Sequence, residues 1–387
     1  MKARTLLPAA SPEGLPGIDL SLPPEILEAG LATPAEAFSH PAYRDIIASD
    51  AFQRLRRICF LGAIDYLFHP NGSAACRRHT RFEHTLGVAH LALLYGRWTG
   101  LAERDCLHLV TAALLHDIGH APLSHSLEPV LKRRFGIGHH DAGQAVLHGT
   151  APVGRDLPRI LSGHGIDADR VEALIDGTSS DPGAHLFSSP INIDTLDGIY
   201  RSYRYAVTSP AEPPPVRVLF AALRRDAGDI RIMDRFWELK GRIYHNLING
   251  RAGALADYVA RHYAEMLADD LAPQLWYWDE AQLRREHRAL FHLLALVRNP
   301  AELAASVPDW PACIRITARG FRVDTTVPVP DPSNDARRYR QDKTPLELNT
   351  SLPNPALLDR TTAHPPLDKD GHVLGSPEKL RGTSLLF

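Results

Sequence analysis

Cysteine is scarce in this chain, and what there is lies scattered. Cys59, Cys76, Cys106 and Cys313 form no CxxC pair, which argues against both a zinc ribbon and a disulfide framework. Long apolar runs are missing as well. No stretch is long enough to span a bilayer, and the opening MKARTLLPAASPEG lacks the sustained apolar core of a secretory signal. The expectation is a cytoplasmic protein with no membrane association. Charge of one sign is also absent. With 43 basic and 45 acidic residues the formal net charge is −2, which excludes a general nucleic-acid or membrane coat while leaving room for a basic patch inside a cleft. There is no internal repeat.

Histidine, by contrast, is abundant and concentrated. Of the 20 histidines, 11 fall between His69 and His148, about a fifth of the length. The densest text is ALLHDIGHAPLSH, with the adjacent pair His116-Asp117. The segments 82–98 and 104–118 are apolar on nearly every side and read as central buried helices. A histidine or aspartate inside such helices needs a partner, because an unpaired buried polar group costs about 1–3 kcal/mol. His84, His116 and Asp117 are therefore expected to be hydrogen-bonded or metal-bound, with Gly119 as the helix stop that lets them turn into one cavity.

The remainder also reads as helical. Residues 1–45 are a Pro- and Ala-rich arm, 46–210 the core, 211–312 a helical extension that completes the pocket, and 313–387 a short strand region followed by an extended tail. Within the core, AFQRLRRICFLGAID is an amphipathic helix, and Asn192 is a candidate cap for a helix carrying Asp194, Asp197 and Arg201, the last two spaced to pair. EPPPVRVL (212–219) is a stiff connector. Leu283, Leu290, Leu294 and Val297 trace one helical stripe. Only 313–329 alternates like a strand. The expected fold class is all-α with one short β element.

The ordered text FQRLRRI, HTRFEHTLGVAHL, LLHDIGHAPLSHSLE, HHDAGQAVL and NIDTLDGIYR resembles the HD-domain metal-dependent phosphohydrolases, in particular the deoxynucleoside triphosphate triphosphohydrolase branch. The resemblance covers roughly residues 50–205, with a weaker echo through 234–267. It implies metal ligands at His84, His116, Asp117 and Asp194. Two imidazoles and two carboxylates suit Mn or Fe, with Ni, Co or Mg as alternatives. It implies a catalytic His125 oriented by Glu128, where the family usually has aspartate, and His140 as proton donor to the leaving oxygen. Arg81 and His120 are implied to touch the nucleotide and its phosphate, and Lys240 and Arg242 are further candidate phosphate clamps. It also implies homo-oligomers in which nucleotides act as activators.

Substrate-reading positions depart from the family. Its QLG is Phe60-Leu61-Gly62 here, and Thr195, Gly198 and Ser202 replace its Lys, Tyr and Asp. The expected activity is hydrolysis of (deoxy)nucleoside triphosphates to nucleoside and triphosphate. The alternatives are a nucleotidase, a nuclease or phosphodiesterase acting on single-stranded or cyclic nucleotides, and a non-catalytic nucleotide-binding regulator. A further alternative is a dinuclear centre recruiting His140 and His164.

Overall fold

A computed structural model describes residues 35–68, 79–206, 215–267, 270–307 and 309–350. The proposed arm up to residue 34, the break at Pro70-Asn71-Gly72-Ser73 and the terminal SLLF lie outside the described residues.

Two antiparallel-neighbour helices form the centre, α1 (Arg81–Thr99) and α2 (Glu103–Leu115). Thr80 and Glu83 close a reciprocal capping box at the start of α1, and Gly100 in the left-handed region stops it. Both helices are apolar around most of their circumference and are correspondingly buried, from Val88 through Leu93 on α1 and from Leu109 through Leu115 on α2. Their polar exceptions, His84, Thr85 and His108, are fully enclosed. Helix α2 ends at Leu115, four residues before the expected stop at Gly119, and His116 becomes its C-terminal cap.

After α2 come α3 (Glu128–Phe135) and α4 (His139–Leu147), then α5 (Ala168–Ile175), which packs against α2, and α6 (Ile193–Ala206), which packs against α1. Asn192 accepts from the Thr195 backbone N–H at 2.6 Å, which starts α6 as expected and fixes where Asp194 sits. Gly87 lets α6 approach α1: a Cβ there would lie 1.9 Å from Asp197 Oδ1. The short helix Asp50–Arg54 carries a buried arginine inward. Arg54 donates to the carbonyls of Ile118, His120 and Trp278 at 2.7–2.9 Å, clamping the loop after α2.

The second half adds α7 (Pro215–Arg224), α8 (Ala227–Ile243) and α9 (Arg251–Met266). A single π-turn, Tyr244–Ile248, follows α8. The expected connector at 212–219 is helical from Pro215, since proline is well suited to a first helical turn. The stripe from Leu283 to Val297 is divided between two helices, Glu280–Glu286 and Arg288–Leu296.

Strand β1 (Cys313–Val323) is shorter than the expected 313–329 and pairs antiparallel with β2 (Tyr339–Asn349), with Arg319 opposite Lys343. The expectation of an extended tail from Pro330 onward fails for β2. Its exposed polar side chains hide the strand in the sequence, and pairing with β1 supplies what alternation does not. The ribbon is anchored from below by Phe321 against Trp237 and Tyr244, and by Arg338, which donates to Asp234 and to the Val327 carbonyl.

Candidate metal centre and its cavity

Four side chains from three places in the chain meet where α1, the end of α2 and the start of α6 come together. His84 is fully buried. Its Nδ1–H donates to Asp197 Oδ2 at 2.6 Å, so its Nε2 is turned to Asp194 Oδ1 at 3.0 Å and Asp117 Oδ2 at 3.5 Å. His116 donates from Nδ1 to the Ala113 carbonyl at 2.8 Å. Its Nε2 stands 3.5 Å from Asp117 Oδ1 and 3.9 Å from Asp194 Oδ1, enclosed and without a hydrogen-bond partner among the described residues.

This arrangement fits a divalent cation. Both imidazoles are fixed by their Nδ1–H, so each presents a bare Nε2 lone pair to carboxylate oxygens. Lone pairs gathered in this way repel unless a positive charge lies between them. Separations of 3.0–3.9 Å are those of atoms sharing one ion at about 2 Å from each. Burial alone would lower the pKa of His84, but hydrogen bonds to Asp194 and Asp197 raise it to about 9. Burial disfavours ionisation of Asp117, yet His116, Arg81 and His120 hold it well below the usual carboxylate range. Asp194 is likewise held low, against burial, by His84 and His116.

Asp197 is the support that reading the sequence missed. The i,i+4 spacing correctly pairs it with Arg201, whose Nε donates at 2.5 Å. What the spacing could not show is that the same carboxylate orients His84. A histidine and an acid on two buried helices are the signal that could have suggested it.

A cavity of about 210 Å³ opens beside Asp194. Arg81, His125, Lys240, Arg261 and Arg319 line it together with Phe60 and Tyr244. Of the expected substrate-binding residues, the structure brings Arg81 and Lys240 to this wall. Arg81 is at the same time engaged with Asp117 Oδ2 at 2.8 Å and Ser124 Oγ at 3.1 Å. Lys240 lies over the rings of Trp237 and Phe321, and burial lowers its pKa to about 8. Arg242 is exposed and is not brought to the cavity, because it lies two positions beyond Lys240 on the helix, which turns it to another face. His120 is buried behind Asp117, 3.1 Å from Oδ1.

His125 is open to the cavity, and its Nδ1–H donates to Glu128 Oε2 at 2.9 Å. Its surroundings of protein lower its pKa, with Glu128 opposing. His140 opens instead into a narrow recess shared with His116 and stands 3.5 Å from Asp176. His164 is not gathered into the cluster and hydrogen-bonds Asp45 at 2.7 Å.

Three cavity residues had no signal in the sequence. Arg319 comes from β1, held by reciprocal hydrogen bonds between its backbone and the Asn249 side chain at 2.8 and 3.3 Å. Asp257 and Arg261 come from α9. Asp257 accepts from Ser126 Oγ at 2.6 Å, and burial raises its pKa. The backbone beneath the site is strained, with positive φ at Leu123 and Ser124. Glu280 secures that turn by accepting from the Leu123 backbone N–H at 3.3 Å.

A helical core that converges two imidazoles and two carboxylates on one point, with a His-Asp pair at a helix end, defines a class of metal-centred helical domains. Residues 81–170 match the family model described as HD domain. The chain is 33% identical over 173 residues to the uncharacterized protein YwfO of Bacillus subtilis, covering 43% of this chain and 36% of that protein. It is 42% identical over 96 residues to the deoxynucleoside triphosphate triphosphohydrolase SAMHD1 of Homo sapiens, covering 23% of this chain and 14% of that protein. A solved phosphohydrolase from Bacteroides thetaiotaomicron matches with a TM-score of 0.45 at 18% identity, over 69% of this chain and 70% of that one. The chain spans 36–39% of the length of the first curated relatives it matches. Among the described residues, no helix is long and apolar enough to cross a membrane.

Proposed function

We propose that the protein is a metal-dependent phosphohydrolase of nucleotides, converting (deoxy)nucleoside triphosphates to nucleoside and triphosphate. One observation carries this reading: the His84, His116, Asp117 and Asp194 cluster meets, through Asp194, a cavity whose walls are cationic and aromatic. The similarity to SAMHD1 over 96 residues supports the choice of substrate.

A divalent ion held by these four residues, Mn or Fe before Ni, Co or Mg, supplies Lewis-acid polarisation of a phosphoryl oxygen and acidifies water near neutral pH. The chain's own residues do the rest. Lys240, Arg261 and Arg319 place positive charge along the cavity wall, where a polyphosphate accumulates negative charge. Phe60 and Tyr244 offer ring faces for a base. Arg81 positions Asp117 through its guanidinium and contributes charge to the same wall. His125 is held in one tautomer by Glu128, so its Nε2 is free to exchange a proton with the reacting water. Hydrolysis breaks the bond between the α-phosphorus and the 5′ oxygen, and that oxygen leaves with a proton. His140 is assigned to supply it from the recess beside His116. His120, implied by the resemblance to touch phosphate, lies buried behind Asp117 and is assigned to positioning that carboxylate.

A second reading, phosphodiester hydrolysis in single-stranded or cyclic nucleotides, is favoured by Gly198 and Ser202. Both line the cavity where larger sugar-reading side chains are expected, and they leave its wall open. The nucleotide activators and homo-oligomers implied by the family belong to this same proposal. The test is to incubate full-length, metal-loaded protein with each common nucleoside triphosphate, cyclic dinucleotides and labelled single strands, and to identify products. Release of inorganic triphosphate, lost in His116→Ala, is the expected outcome. Cleavage of strands alone would replace the first reading with the second. Inertness toward every substrate with Mn, Fe, Co, Ni and Mg would overturn both.

A further inference from the structure

A second group of histidines lies next to the first and is not accounted for by it. His120, His125 and His139 each bring one ring nitrogen within 4.8 Å of those of the others. The His120 and His139 rings are stacked, 4.2 Å apart and inclined by 12°, and His125 stands edge-on to both at 4.7 and 5.6 Å. The close approach is built into the backbone. Gly119 packs against the turn that starts α4, where a Cβ would lie 2.1 Å from the His139 carbonyl oxygen.

Glu128 explains the orientation of two of the rings. Its Oε2 accepts from His125 Nδ1–H at 2.9 Å, and its Oε1 accepts from His139 Nδ1–H at 2.5 Å. A neutral imidazole has a single N–H, so fixing it at Nδ1 leaves a bare lone pair at Nε2 of each ring. This is the support given to histidines that bind metals. The third ring adds an independent sign. His120 is 1% exposed, its Nε2 faces Asp117 Oδ1 at 3.1 Å, and its Nδ1 has no hydrogen-bond partner among the described residues. An enclosed nitrogen in that state is unfavourable unless a ligand reaches it.

We propose that His120, His125 and His139, braced by Glu128, form a second cation site for a borderline divalent ion such as Zn2+ or Co2+, and that filling it blocks proton exchange at His125. The donor set decides the ion. Three imidazoles favour Zn, Co or Ni over the harder Mg and Mn, whereas the mixed nitrogen and oxygen set of the first site accommodates both kinds. Three protein ligands leave one position open, as in other zinc sites of that denticity. The site stands on geometry alone, while its inhibitory effect rests on the role proposed above for His125. No bond in a substrate is made or broken at it.

The experiment is a Co2+ titration of metal-stripped full-length protein, followed by visible absorption and equilibrium dialysis. Wild type is expected to bind two equivalents. His139→Ala and His125→Ala are expected to lose one and keep the other, and Asp194→Asn is expected to do the converse. His125 points into the open cavity, so its removal tests the site even where His139→Ala fails to melt cooperatively. One equivalent that is lost in Asp194→Asn, or two equivalents retained in both histidine variants, would overturn the proposal. One equivalent that survives Asp194→Asn and disappears in His125→Ala would support it and sink the four-ligand centre instead. For the inhibitory half, excess Zn2+ is expected to suppress turnover of wild type, and His139→Ala is expected to raise the midpoint of that suppression at least about tenfold. An unchanged midpoint would overturn that half.

Discussion

The near wall of the cavity and its far wall are built on different principles. The near wall is formed by α1, the end of α2 and α6, where each functional group is locked by a second group. Asp197 holds His84, Ala113 holds His116, Arg81 holds Asp117, and Arg54 holds the backbone of the loop between them. The far wall is formed by α8, the π-turn, α9 and the ribbon, and its cations rest on aromatic faces or stand at the cavity edge. Rigid, mutually dependent ligands suit a reaction centre. Looser, individually replaceable contacts suit substrate recognition.

Substitutions at the near wall should therefore abolish function, and those at the far wall should retune it. The largest effect is expected for His116→Ala and Asp194→Asn, each lowering kcat/KM by at least about a thousandfold in steady-state assays while removing the bound ion. Next comes Glu128→Gln, which keeps the shape but loses the charge that fixes two imidazoles. A drop of about a hundredfold in kcat, with KM little changed, is expected. Asp197→Asn should weaken metal affinity about 10–100-fold by competition titration. It should also destabilise the fold by about 3–5 kcal/mol in chemical denaturation, because Arg201 is left buried with a neutral partner. An Asp197→Asn protein as stable and as tight-binding as wild type would show that the near wall is not interlocked.

The smallest and most diagnostic effect is on pH dependence. Burial lowers the pKa of Lys240 to about 8. The cationic form, which attracts phosphate, is present below that value and is lost as pH rises through it. KM for a nucleotide substrate should then climb above about pH 8 and stay flat below it. Lys240→Arg should move the rise beyond the accessible range, since guanidinium remains charged there. A flat KM profile in wild type would remove Lys240 from recognition. The same shift makes stability increase as pH rises through about 8, because the unfolded chain holds the Lys240 proton more tightly than the folded one.

The two walls also differ in how legible they are in the sequence. His84, His116-Asp117 and Asp194 stand out because buried helices rarely carry such groups without a partner, and the ordered spacing matches a family. The central helix pair, the cap at Asn192 and the Asp197–Arg201 pairing follow from local rules of periodicity and spacing. Glu128 reads as a conservative replacement for aspartate, but nothing in the sequence shows that its second oxygen reaches His139. Arg319 could not be foreseen. Its position depends on the pairing of β1 with a strand whose exposed side chains show no apolar alternation, and on Asn249 from a distant turn. Arg242 fails as a clamp because its charge is legible in the sequence but the helical face that carries it is turned from the cavity.

The central claim is that Asp194, far along the chain from the His-Asp pair, completes a single ion site. Electron paramagnetic resonance of metal-stripped protein given one equivalent of Mn2+ tests it directly, because the all-nitrogen histidine group has little affinity for this harder ion. The expected result is a bound-Mn2+ signal in wild type and free aqueous Mn2+ in Asp194→Asn, with both proteins folded by circular dichroism. Equal binding by the two proteins would contradict the account.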